Sequence, residues 1–166
     1  MSVPRDMIKG SKWWRVDLHV HTPGSQDYGR GDEALKGMAP RDWLLSVMQK
    51  EVDCVAIADH NTGKWIDKLK SELAVLDALM PEGYRPLHLL PGVEISAGAI
   101  HVLAIFDHSM TTEGVSSILG SVGFLSSRMG ETEREFPSYS SFFQRKFLHF
   151  RCVSLYKPDL SASAQM

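Results

Sequence analysis

Apolar runs and apolar stripes follow one another along the first 124 residues of the chain, separated by polar stretches. Four apolar runs predict buried strands, at residues 13–20, 52–58, 87–95 and 100–106, with the third run interrupted by Pro91-Gly92. The runs are continuously apolar rather than alternating. This pattern is typical of a mostly parallel sheet that helices cover on both faces.

Apolar residues at helical spacing predict helices between and after the strands. The first helix begins at Pro40 and carries Trp43, Leu44, Val47 and Met48. The second ends before Pro81-Glu82-Gly83 and carries Trp65, Ile66, Leu69, Leu73, Leu76, Leu79 and Met80. The third is short, is capped by Thr111 or Thr112, and carries Val115, Ile118 and Leu119. Residues 22–40 predict a long loop, and the whole order predicts an α/β fold, either open or closed into a barrel.

Composition narrows the class of protein. The chain has 166 residues, is 43% apolar, and carries 18 basic against 20 acidic side chains for a net charge of −2. This favours one globular domain and does not favour nucleic-acid wrapping or membrane adsorption. The first ten residues lack the apolar segment of a signal peptide and no run approaches a membrane span, so we expect a cytoplasmic location. After about residue 124 the pattern weakens, and residues 125–166 are expected to form a tail of unknown structure.

Two histidines stand at the end of the first predicted strand. His19 and His21 are two residues apart, so in a strand they project from the same face as a pair of imidazoles. Such a pair suits one transition metal. The alternative is two histidines that pack in the strand and are satisfied by hydrogen bonds.

Further candidate ligands stand at the ends of the other strands. Asp59 and His60 end the second strand, Glu94 closes the third, and His101 opens the fourth. A glutamate inside a buried run is costly unless it is paired or binds a metal. Because the carboxyl ends of parallel strands meet at one crevice, we expect these side chains to converge. Mixed imidazole and carboxylate ligands suit Zn, Mn or Fe better than Mg or Ca.

Four motifs follow one another along the predicted strands. They are His19-Val20-His21, Ala58-Asp59-His60-Asn61, Gly92-Val93-Glu94-Ile95-Ser96 and Ile100-His101-Val102-Leu103. In this order they resemble the motifs of the PHP (polymerase and histidinol phosphatase) superfamily. The resemblance covers residues 13–124. In the segment from Trp14 to Ser25 it is closest to PHP domains that precede AAA-like ATPase regions, the TrlF-like proteins. It implies a distorted (β/α)7 barrel with two or three divalent ions. It also implies hydrolysis of phosphoesters by a metal-activated water, with no side-chain nucleophile.

The resemblance also implies roles for single residues. His19 and His21 correspond to ligands of a first metal, Glu94 to a bridging carboxylate and His60 to a ligand of a second metal. His101 matches the ligand of the fourth motif. The remaining assignments are looser: Asp27 as a further ligand with Asp32 as its substitute, Asp59 as a ligand or a support, Asp17 as a support, and His88 and His108 as surface or packing residues.

The later histidine and Asp-x-His motifs of the family do not appear in this chain. A complete barrel also needs roughly 200 residues or more. We therefore expect a partial, truncated barrel of the PHP type with weak activity or none. The expected partners are a phosphoester substrate, such as a nucleotide or nucleic acid, and an ATPase region in a longer homologue. The alternative function is a non-catalytic remnant, or a regulatory or defence module of such a longer protein.

Overall fold

The computed structural model describes residues 13–97 and 100–124 of the chain. The predicted N-terminal arm and the predicted tail from residue 125 lie outside these residues. The elements in chain order are β1 (Val16–Val20), α1 (Glu33–Lys36), α2 (Pro40–Gln49), β2 (Cys54–Ile57), α3 (Ile66–Leu79), β3 (His88–Leu90), β4 (Gly92–Ala97), β5 (Ile100–Ile105) and α4 (Thr112–Ser121).

The described strands form two small sheets. Strands β1, β2 and β3 make a parallel sheet in that order, with Val16 opposite Cys54 and Cys54 opposite His88. Strands β4 and β5 pair with each other in antiparallel fashion. The predicted α/β class with a parallel sheet is therefore confirmed. Over residues 13–97 and 100–124 the strands do not close into a barrel.

The run at residues 87–95, predicted as one interrupted strand, belongs to two sheets. At Gly92 the chain passes so close to β2 that a Cβ atom would lie 2.5 Å from the carbonyl oxygen of Ile57. Only glycine permits that approach. Beyond it, the Glu94 amide donates to the Asp59 carbonyl at 3.1 Å, and the Asn61 amide donates to the Glu94 carbonyl at 2.9 Å. These bonds place Glu94 beside the chain that leaves β2.

The core lies mainly between the sheets and the helices. Helix α2 starts with Pro40 and buries all four predicted residues, Trp43, Leu44, Val47 and Met48. Helix α3 buries Ile66, Leu69 and Leu76, whereas Leu79 is 64% exposed and Met80 is 68% exposed. The predicted stripe is thus wrong at its end. The physical reason is that the helix stops there, with Met80 in the left-handed region at φ 44°.

Strand β1 is more exposed than its sequence predicts. Val16 is 50% exposed and Trp13, just before the strand, is 96% exposed. Among the described strands β1 pairs only with β2, so it forms one edge of the parallel sheet. Its register shifts by one residue between Asp17 and Val20, which marks a bulge before the end of the strand.

The predicted long loop contains a one-turn helix that the sequence reasoning missed. Asp32 is the N-cap of α1, because its side chain accepts hydrogen bonds from the amides of Ala34 at 2.9 Å and Leu35 at 3.2 Å. Helix α4 has the predicted cap, since Thr111 accepts from the Gly114 amide at 3.1 Å. None of the helices in the described residues is both long and apolar enough to cross a membrane.

Candidate metal centre

The two histidines at the end of β1 meet the buried glutamate of β4. Nε2 of His19 lies 2.7 Å from Oε2 of Glu94, and Nε2 of His21 lies 3.0 Å from the same oxygen. The two Nε2 atoms are 3.2 Å apart. The three atoms therefore form a small triangle, although His19 and Glu94 are 75 residues apart in the chain.

The size of this triangle fits the chemistry of a divalent ion. In a tetrahedral site with bonds of about 2.0–2.1 Å, neighbouring ligand atoms lie about 3.3 Å apart. The edges of the observed triangle are 2.7, 3.0 and 3.2 Å. Two imidazoles and one carboxylate are also ligand types that zinc and similar metals prefer. The donor set thus fits such an ion in kind and in spacing.

Glu94 is the centre of a larger cluster of imidazoles. Its side chain is 5% exposed, and its second oxygen, Oε1, lies 2.5 Å from Nδ1 of His101. Nδ1 of His60 lies 3.5 Å from Oε2. The rings of His60 and His101 meet edge to face, with centroids 5.3 Å apart. One carboxylate from β4 therefore faces four histidines from three other parts of the chain.

Asp27 contributes a second carboxylate from the loop after β1. Its Oδ2 lies 3.2 Å from Nδ1 of His21 and 3.4 Å from Nε2 of His60. Its Oδ1 accepts a hydrogen bond of 2.6 Å from the hydroxyl of Ser25. The structure thus brings Asp27 into the cluster, while its predicted substitute Asp32 caps α1 instead.

Over the described residues, three groups have ligand atoms that all lie within 4.8 Å of one another. The groups are His19, His21 and Glu94; His21, Asp27 and His60; and His60, Glu94 and His101. His21 and His60 each belong to two groups. Because a neutral imidazole has a single lone-pair nitrogen, each of them can serve one ion at a time. Groups that share His21 or His60 therefore cannot all be filled at once. Glu94 is also shared, but its two oxygens allow it to bind two ions.

Two predicted site residues lie beside the cluster rather than in it. Asp59 is fully buried, and its oxygens accept hydrogen bonds from the amide of Thr22 at 2.6 Å and from the Thr22 hydroxyl at 2.5 Å. Asp17 accepts a hydrogen bond of 3.1 Å from the amide of His19. Asp17 also lines a cavity of about 400 Å³ next to His21. Metal binding by Asp59 stays a prediction.

The sequence reasoning missed three hydroxyl side chains that support the cluster. They are Thr22 and Ser25 in the loop after β1, and Ser96 in β4. Ser96 lies two residues after Glu94, so the two-residue period of a strand places both on one face. That signal was present in the sequence. No comparable signal marks Thr22 and Ser25, because their contacts depend on how the loop folds.

Burial and neighbouring charges shift the pKa values of the cluster. Burial lowers the pKa of His60. Burial also acts to lower the pKa of His21, but its hydrogen bond to Glu94 and the charge of Asp27 outweigh this and raise it. Burial acts to raise the pKa of Glu94, yet hydrogen bonds from His19 and His21 hold it well below its usual range. Glu94 is therefore a carboxylate at neutral pH.

The remaining carboxylates differ in charge state. Burial acts to raise the pKa of Asp27, but the Ser25 hydroxyl and the charges of His21 and His60 lower it overall. Burial raises the pKa of Asp59 to about 6, against the hydrogen bonds from Thr22. Asp27 thus stays negative next to the imidazoles. Asp59 carries a proton more readily than an ordinary aspartate.

The histidines that match no motif lie elsewhere. His88 is exposed, and its ring contacts the ring of Trp14 with centroids 4.8 Å apart. His108 is exposed as well, in the segment between β5 and α4. Neither belongs to any of the three groups of ligand atoms found in the described residues.

Comparisons with known proteins give partial similarities. No protein-family model matches the chain. An uncharacterized protein of Streptococcus pneumoniae serotype 4 is 33% identical over 64 residues, which are 38% of this chain and 25% of that protein. Among solved structures, a candidate metal-dependent phosphoesterase from Bifidobacterium adolescentis has 27% identity and a TM-score of 0.40, over 63% of this chain and 32% of that one.

A second solved structure shows a similar partial match. It is an amidohydrolase from Chromobacterium violaceum with bound sulfate and no metal, at 18% identity and a TM-score of 0.41, over 65% of this chain and 33% of that one. The chain thus spans between 25% and 33% of the length of each protein that it matches here.

Proposed function

We propose that this chain is a metal-dependent phosphoesterase domain of the PHP type. The observation that carries the proposal is the position of Glu94. Its buried carboxylate faces the imidazoles of His19 and His21 with one oxygen and that of His101 with the other. A carboxylate that presents each oxygen to a different imidazole group is the arrangement needed to bridge two divalent ions.

The chain's own residues would hold the ions and leave one side open. His19, His21 and Glu94 would hold one ion, and Glu94 with His101 would hold part of a second. The side chains of His19 and His101 are 43% and 48% exposed, so a substrate can approach from their side. When bound, divalent ions of this kind activate water and stabilise the oxygens of a phosphoester during its hydrolysis.

The charges of the cluster set the conditions for metal binding. Glu94 and Asp27 supply negative charge at neutral pH, which favours a cation. The raised pKa of His21 means that a proton competes with a metal for this imidazole in mildly acidic solution. We therefore expect metal uptake to weaken as the pH falls below neutral.

We extend this proposal to the substrate class, the metal and the cellular location. The substrate is a phosphoester, such as a nucleotide or nucleic acid, and the ions are Zn, Mn or Fe. The setting is cytoplasmic, with an ATPase region in longer homologues. Among residues 13–97 and 100–124, few ligands are assembled for the second ion. We therefore expect weak turnover, because a misplacement of about 1 Å can reduce a rate roughly a hundredfold.

The test measures metal content first and turnover second. Purified chain is saturated with Zn or Mn, freed of excess ion and analysed by elemental mass spectrometry. Phosphate release is then followed from generic phosphomonoesters and phosphodiesters. His19→Ala should lose bound metal and turnover while its circular dichroism is unchanged. His108→Ala removes an exposed imidazole outside the cluster and is the matched control.

The outcomes separate the alternatives. Metal binding with turnover that His19→Ala abolishes supports the proposal. Metal binding without turnover on any ester favours the non-catalytic regulatory or defence module. A chain that takes up no divalent ion, or a His19→Ala variant that binds as much metal as the wild type, overturns the metal centre itself.

A further inference from the structure

Glu94 is joined to the chain that leaves β2 by the beginning of a parallel ladder. His60 and Glu94 form a parallel bridge. The Glu94 amide donates to the Asp59 carbonyl at 3.1 Å, and the Glu94 carbonyl accepts from the Asn61 amide at 2.9 Å. In a regular parallel pair, the next bond would run from the amide of Ser96 to the main-chain carbonyl of Asn61.

The next bond in the structure runs to a side chain instead. The Ser96 amide donates at 3.0 Å to Oδ1 of Asn61. A backbone amide can only donate and the side-chain oxygen of an asparagine can only accept, so each group has one possible role in this bond. Both residues are buried, and a buried amide without an acceptor is costly. The side chain of Asn61 therefore satisfies the position at which the main-chain ladder stops.

The backbone conformation of Asn61 explains why its main-chain carbonyl is replaced. Its φ is 50°, in the left-handed region, so the extended course of the chain ends at this residue. Asparagine adopts this region more readily than most residues that carry a side chain. Glycine adopts it as well, but glycine has no side-chain oxygen. Asn61 thus ends the ladder with its backbone and extends it by one bond with its side chain.

The ladder sets the position of Glu94 relative to the histidines. Strands β4 and β5 form a sheet of their own, whereas His19 belongs to β1 in the other sheet. The carboxylate of Glu94 nevertheless lies 2.7 Å from Nε2 of His19. The bonds to Asp59 and Asn61 hold the main chain of Glu94 directly, and the bond from Ser96 holds it two residues further along β4. A shift of β4 at this point would move the carboxylate away from the imidazoles.

We propose that Asn61 is a positioning residue, whose side chain holds β4 through the Ser96 amide and so places the carboxylate of Glu94 against the histidines of the other sheet. The inference rests on the proposed metal centre, in which two ions share Glu94. Position 61 must then combine a left-handed backbone with a side-chain acceptor. Asparagine and aspartate meet both requirements, glycine meets only the first, and alanine meets neither.

The first experiment detects the bond in the metal-free wild type and needs no substitution. A scalar coupling transmitted through a hydrogen bond should connect the amide nitrogen of Ser96 to Cγ of Asn61 in NMR spectra. A coupling from Ser96 to the main-chain carbonyl carbon of Asn61 in its place would overturn the inference.

The second experiment measures hydrogen exchange of the metal-free variants. Asn61→Gly permits the same backbone and removes the acceptor, so the Ser96 amide should exchange roughly 2–10-fold faster than in the wild type. The Ile95 amide is the internal reference, because successive amides of a strand point to opposite sides and that of Ile95 faces β5. Asn61→Asp should restore slow exchange. Met80→Gly is the matched control, since Met80 also has a positive φ, at 44°, and is exposed at the end of α3.

The third experiment is a zinc titration of the same proteins against a competing chelator. Asn61→Gly should bind zinc about 10–100-fold more weakly than the wild type, the range for residues that hold a metal ligand in place. Asn61→Asp should recover most of this loss, and Met80→Gly should match the wild type. Urea unfolding of each variant shows that it is folded under the conditions of the titration.

The outcomes separate failure of this inference from failure of the metal centre. An unchanged Ser96 exchange rate in Asn61→Gly overturns the bond. A zinc affinity of Asn61→Gly equal to that of the wild type overturns the positioning role, and so does an Asn61→Asp variant that binds zinc no better than Asn61→Gly. A wild type that binds no zinc overturns the proposed function, and the coupling and exchange of Ser96 still decide whether Asn61 holds β4.

Discussion

Replacing Asp59 by asparagine should stabilise the metal-free protein at neutral pH. Asp59 is fully buried, and burial raises its pKa to about 6 from an ordinary value of 3.8. This difference of roughly two pKa units corresponds to about 3 kcal/mol between the protonated and charged states of the folded protein. The charged carboxylate therefore lowers the free energy of unfolding above pH 6.

The sign of the pH dependence follows from proton binding. Between pH 3.8 and about 6 the folded protein holds the Asp59 proton and the unfolded chain releases it. The contribution of Asp59 to stability is thus fully present below pH 3.8 and is lost as the pH rises through about 6. An asparagine keeps an acceptor oxygen for the Thr22 amide and carries no charge. The stability of the variant should therefore not fall in this way as the pH rises.

The assay is urea unfolding in the presence of a chelator, at several values between pH 4 and pH 8. The advantage of Asp59→Asn over the wild type should grow by about 3 kcal/mol across this range. Glu82→Gln removes an exposed carboxylate and is the matched control, with a small and nearly constant difference. An Asp59→Asn profile parallel to the wild type would refute the reasoning, and a loss of zinc binding in this variant would show that Asp59 is a ligand after all.

Three further predictions concern the fold. Leu76→Ala should lower the free energy of unfolding by about 2–5 kcal/mol because Leu76 is fully buried, whereas Leu79→Ala should change it by less than about 0.5 kcal/mol; equal urea midpoints for both would contradict the packing of α3. Gly92→Ala should destabilise the fold by about 1–3 kcal/mol, since its Cβ would press on the Ile57 carbonyl, and an unchanged melting temperature would count against this close approach. Thr111→Ala should cost about 1 kcal/mol through the lost cap of α4, a figure that thermal unfolding can check and that Thr111→Ser should largely restore.

The sequence predicted those parts of the fold that depend on local periodicity. Helix α2 is an example, because its buried residues recur at helical spacing and Pro40 marks its start. The exposure of β1 could not be predicted in this way. An apolar composition does not reveal whether a strand lies at the edge of a sheet, and Val16 is half exposed at that edge. The division between β3 and β4 likewise depends on a contact between Gly92 and the distant Ile57.

In the candidate site, too, the sequence predicted the residues marked by a local pattern and not those placed by the folded loop. Strand ends were a sufficient guide to His19 and His21. Glu94 was expected to close a strand, which is wrong, because it lies inside β4 and is placed in the site by a bridge to His60. The loop was harder to interpret. Asp27 and Asp32 could not be separated by spacing alone, since one faces the imidazoles and the other caps α1 only after the loop has folded.

The distance along the chain between His19 and Glu94 has a mechanical consequence. An ion held by both would act as a removable cross-link that closes a loop of 75 residues. In the chain-entropy description, a cross-link across a loop of this length stabilises a fold by about 4 kcal/mol by restricting the unfolded state. The same ion would thus fasten the edge strand β1 to the β4–β5 hairpin, and the lifetime of the folded protein would follow the supply of metal in its surroundings.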